Sequence, residues 1–297
     1  MHALIQRLVA QKPVITDGAW GTELQRQGLD PGESPDNWNL KYPERVESVG
    51  RAYVDAGSRI ILTNTFQSNR IVLQRHGLAG RLEEINRVGV EISRRAAQGR
   101  AYVFASLGPS GKLLVSGEVS EQELQEVFAE QAEALARAKP DALVIETMSD
   151  VEEAKLAVLS CRQTGLPVVA CMAFDSGKNK DRTMMGTTPE QAAAALDAAG
   201  ADVIGANCGQ GIEYYLPLAK RLRAATDRPL WINANAGSPE LTGEGTVYRT
   251  TPNEFAEAAP AIIDAGVAFI GGCCGTGPEF IRALCGILAR QSDSTCA

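Results

Sequence analysis

Eight short apolar runs, each followed by an amphipathic stretch of helical period, divide this chain from end to end. The runs predict strands at 14–19, 60–66, 102–109, 142–148, 167–174, 203–208, 230–237 and 269–275. The stretches predict helices near 44–56, 82–97, 120–138, 150–163, 189–199, 211–225, 252–265 and 278–290. A strand followed by a helix, repeated along a chain, is typical of parallel strands joined by helical crossovers.

Eight such units in 297 residues predict a closed (β/α)8 TIM barrel, an α/β fold, as a single domain over 1–297. The alternative is an open, doubly wound sheet. That alternative is disfavoured because no Gly-x-Gly-x-x-Gly motif follows the first strand. In a barrel, loops at the carboxyl ends of the strands surround the active site, and the two long connections expected there are 28–43 and 237–251.

The charge and hydropathy pattern limits the partners of the chain. A formal net charge of −7 without a run of Lys or Arg argues against nucleic acid. No stretch approaches the roughly 18 consecutive apolar residues of a membrane span, and polar residues interrupt the amphipathic opening segment before it resembles a signal sequence. We therefore expect a cytoplasmic protein that acts on small molecules, with neither a nucleic-acid nor a membrane partner.

Three cysteines lie at predicted strand ends among glycines: Cys208 in 206–209 (ANCG), and Cys273 and Cys274 in 271–275 (GGCCG). Adjacent strand residues point to opposite faces, so Cys273 and Cys274 reach one point only where the backbone leaves the pleat, which glycines permit. Three converging thiolates would hold a soft metal, with Zn²⁺ expected, and leave a fourth position for a substrate thiol. The remaining cysteines are expected to be structural or incidental: Cys161, Cys171, Cys285 and Cys296.

The rival interpretations of the three cysteines are a disulfide between neighbours, buried apolar thiols and a structural zinc site. A neighbouring disulfide needs a distorted peptide and an oxidising environment. A structural zinc normally takes four protein ligands with short Cys-x-x-Cys spacing, which is absent here. The two histidines, His2 and His76, lie in segments where neither is placed to act as a ligand or a base. A three-thiolate site is therefore favoured.

Other polar residues that end the predicted strands would share the same mouth of a barrel. The candidates for substrate binding are Asp17, Gly18, Thr65, Ser106, Glu146 and Asn207. The carboxylates of Asp17 and Glu146 are suited to clamp the ammonium of an amino-acid thiol, and backbone amides at 18–21 are suited to its carboxylate. Taken singly, each candidate also has a structural interpretation as a turn or capping residue.

Five stretches resemble, in order, the motifs of the homocysteine S-methyltransferase family: 17–22 (DGAWGT), 63–66 (TNTF), 145–147 (IET), 205–209 (GANCG) and 271–275 (GGCCG). The resemblance covers nearly the whole chain and implies a (β/α)8 barrel. It implies Cys208, Cys273 and Cys274 as the zinc ligands at the catalytic centre, with Asp17 and Glu146 contacting homocysteine. The implied reaction displaces a methyl group from a donor onto the homocysteine sulfur held by zinc, giving methionine.

The resemblance leaves several methyl donors open. Members of the family use betaine, S-methylmethionine, other sulfonium compounds or a methylcobalamin presented by a separate module, and the last would require a corrinoid partner protein here. Aromatic faces commonly hold cationic donors, which makes Trp20, Trp38 and Phe66 the donor-side candidates. Thr147 stands where betaine-using members have Tyr, which disfavours betaine, and 63–66 is closer to the cobalamin-type module.

We therefore expect a zinc-dependent methyltransferase that acts on homocysteine with a small sulfonium or betaine-type donor. One alternative is a thiol-methylating component of a corrinoid-dependent system, or an enzyme that acts on a different thiol. A remote alternative is a zinc- or redox-sensing barrel. In a sensor the polar residues expected around the barrel mouth, Asp17, Asn64 and Glu146, would have no function.

Overall fold

The computed structural model describes residues 1–242 and 245–294, and its main sheet contains eight parallel strands. They are β1 (Val14–Ile15), β2 (Ile60–Leu62), β3 (Tyr102–Leu107), β4 (Ala142–Met148), β5 (Val168–Met172), β6 (Val203–Gly211), β7 (Leu230–Asn235) and β10 (Val267–Gly272). Between β7 and β10 in sequence, β8 (Glu240–Thr242) and β9 (Gly245–Val247) form a separate antiparallel hairpin. The sheet order β1-β10-β7-β6-β5-β4-β3-β2 confirms the predicted (β/α)8 barrel.

One helix precedes β1, and the other helices follow the strands. They are α1 (Ala3–Val9), α2 (Trp20–Arg26), α3 (Trp38–Lys41), α4 (Pro43–Ala56), α5 (Arg70–Arg75), α6 (Leu82–Ala97), α7 (Glu121–Arg137), α8 (Val151–Arg162), α9 (Pro189–Ala199), α10 (Tyr215–Ala225), α11 (Pro252–Asp264) and α12 (Pro278–Ser294). Local sequence sets several starts: Thr188 and Thr251 each form a capping box with the residue three positions on, and Pro fills the first helical position after each.

The barrel closes at a seam between β1 and β2, where side chains supplement the backbone pairing. The Arg59 amide donates to the Ile15 carbonyl at 2.8 Å, and the Ser58 hydroxyl donates to the Thr16 carbonyl at 3.0 Å. Further along, the Leu62 amide donates to the Asp17 carboxylate at 2.6 Å. A carboxylate thus takes the place of a main-chain acceptor at the carboxyl end of the seam.

Alternating residues of the strands fill the barrel interior. The inward positions include Phe104 of β3, Trp231 of β7 and Phe269 of β10, whose rings stack on one another with centroids 6.1 and 5.4 Å apart. Helix α1 adds Leu4, Ile5 and Leu8 to the same cluster. The barrel interior is therefore a packed core, and a cavity opens at its carboxyl-end mouth.

Several observed bounds differ from the sequence predictions. β1 and β2 are shorter than the predicted runs at 14–19 and 60–66, although the Thr16 amide and the Asp17 carbonyl still form backbone hydrogen bonds with β10. The predicted runs contain neither the helices α1, α2, α3 and α5 nor the β8–β9 hairpin. Part of the predicted connection 237–251 falls on 243–244, and Cys296 falls in 295–297, both outside the described residues. No helix in the described ranges is long and apolar enough to cross a membrane.

Candidate active site

Strand parity explains why polar side chains gather at one end of the barrel. On β4, Ala142 and Val144 pack in the interior cluster while Leu143 and Ile145 pack outward against the helices. The next inward position is Glu146, which lines a cavity at the mouth. The same alternation places polar residues at the inward ends of the neighbouring strands: Ser106 on β3, Asn207 on β6 and Asn233 on β7.

The three cysteines predicted to act together lie in one cluster. The sulfur atoms of Cys208, Cys273 and Cys274 all lie within 4.8 Å of one another, and those of Cys208 and Cys274 are 3.7 Å apart. Cys208 directly follows the regularly paired part of β6, whereas Cys273 and Cys274 follow β10 directly. Strands on one side of the barrel mouth therefore bring distant parts of the sequence to one point.

Departures from regular strand geometry allow this convergence. Cys208 has a φ of +60°, and the pairing of β6 with β7 is irregular between Asn207 and Gly211. Beyond β10 the chain turns at once, since the Thr276 amide donates to the Cys273 carbonyl at 3.0 Å and Gly275 has a φ of +83°. The predicted exit from the pleat is thus observed, and it lets adjacent cysteines face the same point.

The donor set and its spacing fit a tetrahedral zinc ion. Two sulfurs that each lie about 2.3 Å from a tetrahedral zinc are about 3.8 Å apart. The observed 3.7 Å between the Cys208 and Cys274 sulfurs matches this requirement. Hydrogen bonds from the thiols of Cys208 and Cys273 lower the pKa of Cys274, which favours the thiolate form that a metal ligand needs. Thiolate-rich sets of this kind favour zinc among the common divalent ions.

A cavity of about 310 Å³ opens beside the sulfur cluster. Eight of the residues singled out from the sequence line it: Gly18, Trp20, Phe66, Ser106, Glu146, Cys208, Cys273 and Cys274. The volume lies at the lower end of the range of about 300–1,000 Å³ found for ligand pockets. The size therefore suits one or two small molecules.

Four other sequence candidates lie behind the cavity wall. Thr65 is fully buried and its hydroxyl donates to the Ser106 carbonyl at 2.8 Å. Trp38 is buried and packs edge-on against Tyr42, with ring centroids 4.8 Å apart. Asp17 and Asn207 do not line the cavity either, but both hold groups that do. The structure therefore does not bring Thr65 or Trp38 to the cavity surface.

The two carboxyls proposed to bind an ammonium lie in a poorly solvated environment. Burial raises the pKa of Glu146 to about 8. The Ser106 hydroxyl donates to Oε1 of Glu146, which lowers the pKa and offsets part of this rise. Burial also raises the pKa of Asp17 to about 7, although Oδ2 accepts from Leu62 N and from Trp20 Nε1, the latter at 2.7 Å. Oδ1 of Asp17 is buried with no hydrogen-bond partner. Both carboxyls would be stabilised as anions by a bound cation.

Asp36 is a cavity residue that the sequence interpretation missed. It lies in the 28–43 connection, is 1% exposed and lines the cavity near Phe66 and Gln67. Its Oδ2 accepts from the Gln67 amide at 2.7 Å and from the Ser68 hydroxyl at 2.6 Å. The one available signal was its place in a long loop at the carboxyl ends, because Ser34-Pro35-Asp36 otherwise has the composition of a turn.

Asp36 makes the stability of the ligand-free protein depend on pH. Burial raises its pKa to about 7, whereas an unfolded Asp titrates near 3.9. Between these values the folded state binds more protons than the unfolded state, so the free energy of unfolding falls as the pH rises from about 4 to about 7. We expect urea unfolding at pH 5 and pH 7.5 to show this fall, and Asp36→Asn to reduce it. A variant with the same pH dependence as the unmodified protein would contradict the assignment.

Comparisons with known proteins agree with this geometry. The sequence model of the family described as homocysteine S-methyltransferase matches residues 14–288. Methionine synthase of Mycobacterium leprae is 31% identical over 97% of this chain, and that of Mycobacterium tuberculosis is 30% identical over 95%. The matched region is 25% of each methionine synthase, so this chain spans about a quarter of their length. Betaine–homocysteine S-methyltransferase 1 of Danio rerio is 27% identical over 98% of this chain and 76% of its own length.

The fold has close counterparts among solved structures. The metallated form of the homocysteine methyltransferase MmuM from Escherichia coli superposes with a TM-score of 0.81 at 23% identity, covering 95% of this chain and 99% of that one. At this identity the likeness concerns the fold, while the sequence match over 14–288 is what identifies the family. The chain belongs to the homocysteine S-methyltransferase family.

Proposed function

We propose that this chain, as one barrel domain over 1–297, transfers a methyl group from a cationic small-molecule donor to the sulfur of homocysteine, giving methionine. The observation that carries the proposal is that three cysteine sulfurs and the Glu146 carboxyl share one small cavity. Family membership supports the acceptor, since the family description names homocysteine. Reduced thiols are needed for this chemistry, so we place the activity in the cytoplasm.

Cys208, Cys273 and Cys274 would hold Zn²⁺. When bound, zinc in a three-thiolate set lowers the pKa of an incoming thiol and leaves its sulfur electron-rich enough to attack carbon. Glu146 would accept hydrogen bonds from the homocysteine ammonium, while the buried carboxyl of Asp17, which holds the cavity residue Trp20, would add negative charge behind the cavity wall. Backbone amides within 18–21 would bind the homocysteine carboxylate, since all four of these residues line the cavity. The Ala19 amide already donates to the Thr276 carbonyl, so the proposed donors are Gly18, Trp20 and Gly21.

The transfer step balances with a sulfonium donor and needs no further reactant. The homocysteine thiol first loses its proton to solvent. Its sulfur then supplies the electron pair of the new S–C bond, while the old bond from carbon to the donor sulfonium breaks with its pair going to the donor sulfur. The donor leaves as a neutral sulfide. The cavity walls would hold the homocysteine sulfur and the donor sulfur in line on opposite sides of the methyl group.

The charge of the cavity favours a cationic donor. Among the described residues that line it there is no Lys, Arg or His, whereas Asp36 and Glu146 are both present. Trp20 and Phe66 add aromatic faces on the same surface, which attract cations. A donor with positive charge on its reacting centre is therefore attracted both before and during the transfer.

A panel of methyl donors tests this function directly. Zinc-loaded protein and homocysteine are incubated with S-methylmethionine, betaine, free methylcobalamin or a methylated corrinoid protein, and methionine is measured. We expect product with the sulfonium donor. Absence of methionine with every donor, including a methylated corrinoid protein, would refute the function and favour a sensing role.

Asp36 provides a second test, aimed at the donor side. Asp36→Asn keeps the size of the side chain and removes the negative charge, so the KM for a sulfonium donor should rise about tenfold. The KM for homocysteine should change little, because Asp36 lies on the Phe66 side of the cavity. Initial rates with each substrate varied in turn give both constants. An equal rise in both would indicate a general loss of structure instead.

A corrinoid protein as the methyl carrier is the second candidate. Exposed apolar side chains near the barrel mouth favour it. Five large hydrophobic side chains, each more than a third exposed, lie on segments that follow the carboxyl ends of strands: Val115, Met184, Met185, Tyr214 and Val247. Exposed apolar residues around a mouth suit contact with another protein. Methionine formed from a methylated corrinoid protein but not from sulfonium compounds would select this alternative.

A further inference from the structure

The β4 strand carries a bulge at the cavity wall. Its pairing with β5 joins Ile145 to Ala170 and Met148 to Met172, so Glu146 and Thr147 together lie opposite one residue of β5. Thr147 has a φ of +61°, in the left-handed region. A β-branched residue in that region is a genuine outlier, and such outliers persist only where the surroundings hold them.

The side chain of Asn207, reaching over from β6, holds this residue at both ends. Asn207 Oδ1 accepts from the Thr147 amide at 2.7 Å, and Asn207 Nδ2 donates to the Thr147 hydroxyl at 2.8 Å. The amide that the bulge leaves without a ladder partner is thereby satisfied. The same Nδ2 lies 3.3 Å from Glu146 Oε2 and 3.8 Å from the Cys273 sulfur.

We propose that Asn207 is a positioning residue that clamps Thr147 in its left-handed conformation and thereby aims the Glu146 carboxyl into the cavity. Because Glu146 precedes Thr147 directly, a rotation of the Thr147 backbone to negative φ reorients the peptide that joins them. The two hydrogen bonds from Asn207 hold the Thr147 amide and hydroxyl, so removing the Asn207 side chain takes both restraints on that rotation away. The consequence for homocysteine binding rests on the function proposed above.

The test compares one substitution in three backgrounds. Asn207→Ala is made in the unmodified protein, in Thr147→Gly and in Thr147→Ala. Glycine adopts positive φ without strain, so in the Thr147→Gly background the residue at 147 keeps its conformation without Asn207. Alanine also removes the threonine hydroxyl but keeps the strain, which makes Thr147→Ala the matched control.

Two measurements are made on each zinc-loaded protein: homocysteine affinity by titration calorimetry and the midpoint of urea unfolding. Asn207→Ala should weaken homocysteine binding by about 10- to 100-fold in the unmodified and Thr147→Ala backgrounds. In the Thr147→Gly background the loss should shrink to less than about fivefold, and the fall in the unfolding midpoint should shrink with it. Zinc content, measured on every variant, separates these effects from metal loss.

An equal loss in all three backgrounds would overturn the clamp and show that Asn207 acts directly on substrate or metal. The unfolding midpoints need no substrate, so they test the clamp even where the proposed function fails. If the unmodified protein binds no homocysteine, the proposed function is refuted. The clamp is still supported in that case if Asn207→Ala lowers the urea unfolding midpoint less in the Thr147→Gly background. If homocysteine binds and no rescue is seen by either measurement, only the clamp fails.

Discussion

Cys208→Ser is expected to remove both bound zinc and methyl transfer. Serine keeps the shape of the side chain but offers a neutral hydroxyl in place of a thiolate, and zinc sites of this type depend on deprotonated sulfur. We expect a zinc content near zero after dialysis and a fall in the rate of methionine formation of at least about a thousandfold. Metal analysis and the homocysteine assay measure the two losses on the same sample.

The matched control is Cys285→Ala, which removes a cysteine of α12 that lies outside the cluster, against Gly57. It should keep its zinc and its activity, because its sulfur contributes packing alone. Chelation of zinc from the unmodified protein should reproduce the effect of Cys208→Ser, and zinc added back should restore activity only to the chelated protein. An active variant at position 208 without zinc would refute the metal-dependent mechanism.

Glu146→Gln is expected to weaken the use of homocysteine by about 100-fold or more in kcat/KM. Gln can still accept a hydrogen bond but carries no charge, so the ammonium of homocysteine would be buried without a counter-ion. Oε1 of Glu146 also accepts from Ser106, and that bond survives in the glutamine variant. Steady-state kinetics with homocysteine varied at saturating donor give the size of the effect.

Glu152→Gln is the control for loss of a negative charge near β4. Glu152 lies on the exposed side of α8 and pairs with Lys155 at 2.6 Å, so its loss should leave kcat/KM within about twofold of the unmodified value. A Glu146→Gln protein with normal KM for homocysteine and a reduced kcat would contradict an ammonium-binding role. It would assign Glu146 to the transfer step.

The periodic pattern of the sequence predicts the barrel well because each strand buries both of its faces. β4 was predicted at its observed bounds, since Ala142 and Val144 face the interior and Leu143 and Ile145 face the helices, which makes a continuous apolar run. The pattern fails at the mouth. At 16–19 the chain carries Thr16 and Asp17, and backbone hydrogen bonds to β10 continue as far as Asp17, so the sequence does not mark the residue at which regular β1 pairing stops.

The cysteine cluster was predictable because its residue type is rare and its glycines mark an irregular backbone. Asp36 was not, since its two hydrogen-bond donors, Gln67 and Ser68, lie about thirty positions away and only the folded loop brings them together. The aromatic residues show the same limit. Trp20 and Trp38 both follow β1 in sequence, but only Trp20 lines the cavity. Which of two tryptophans reaches a ligand depends on the path of the loop, and local sequence does not encode that path.

The carboxylate that bridges the β1–β2 seam restricts how such an enzyme can be redesigned. Asp17 accepts from the Leu62 amide across the β1–β2 seam and from Trp20, which lines the cavity. Replacing Asp17 to change the preferred methyl acceptor would therefore also weaken the closure of the barrel between β1 and β2. Asp36 also lines the cavity but bonds to Gln67 and Ser68 instead of to the seam, so a change there alters the binding surface without breaking the β1–β2 closure.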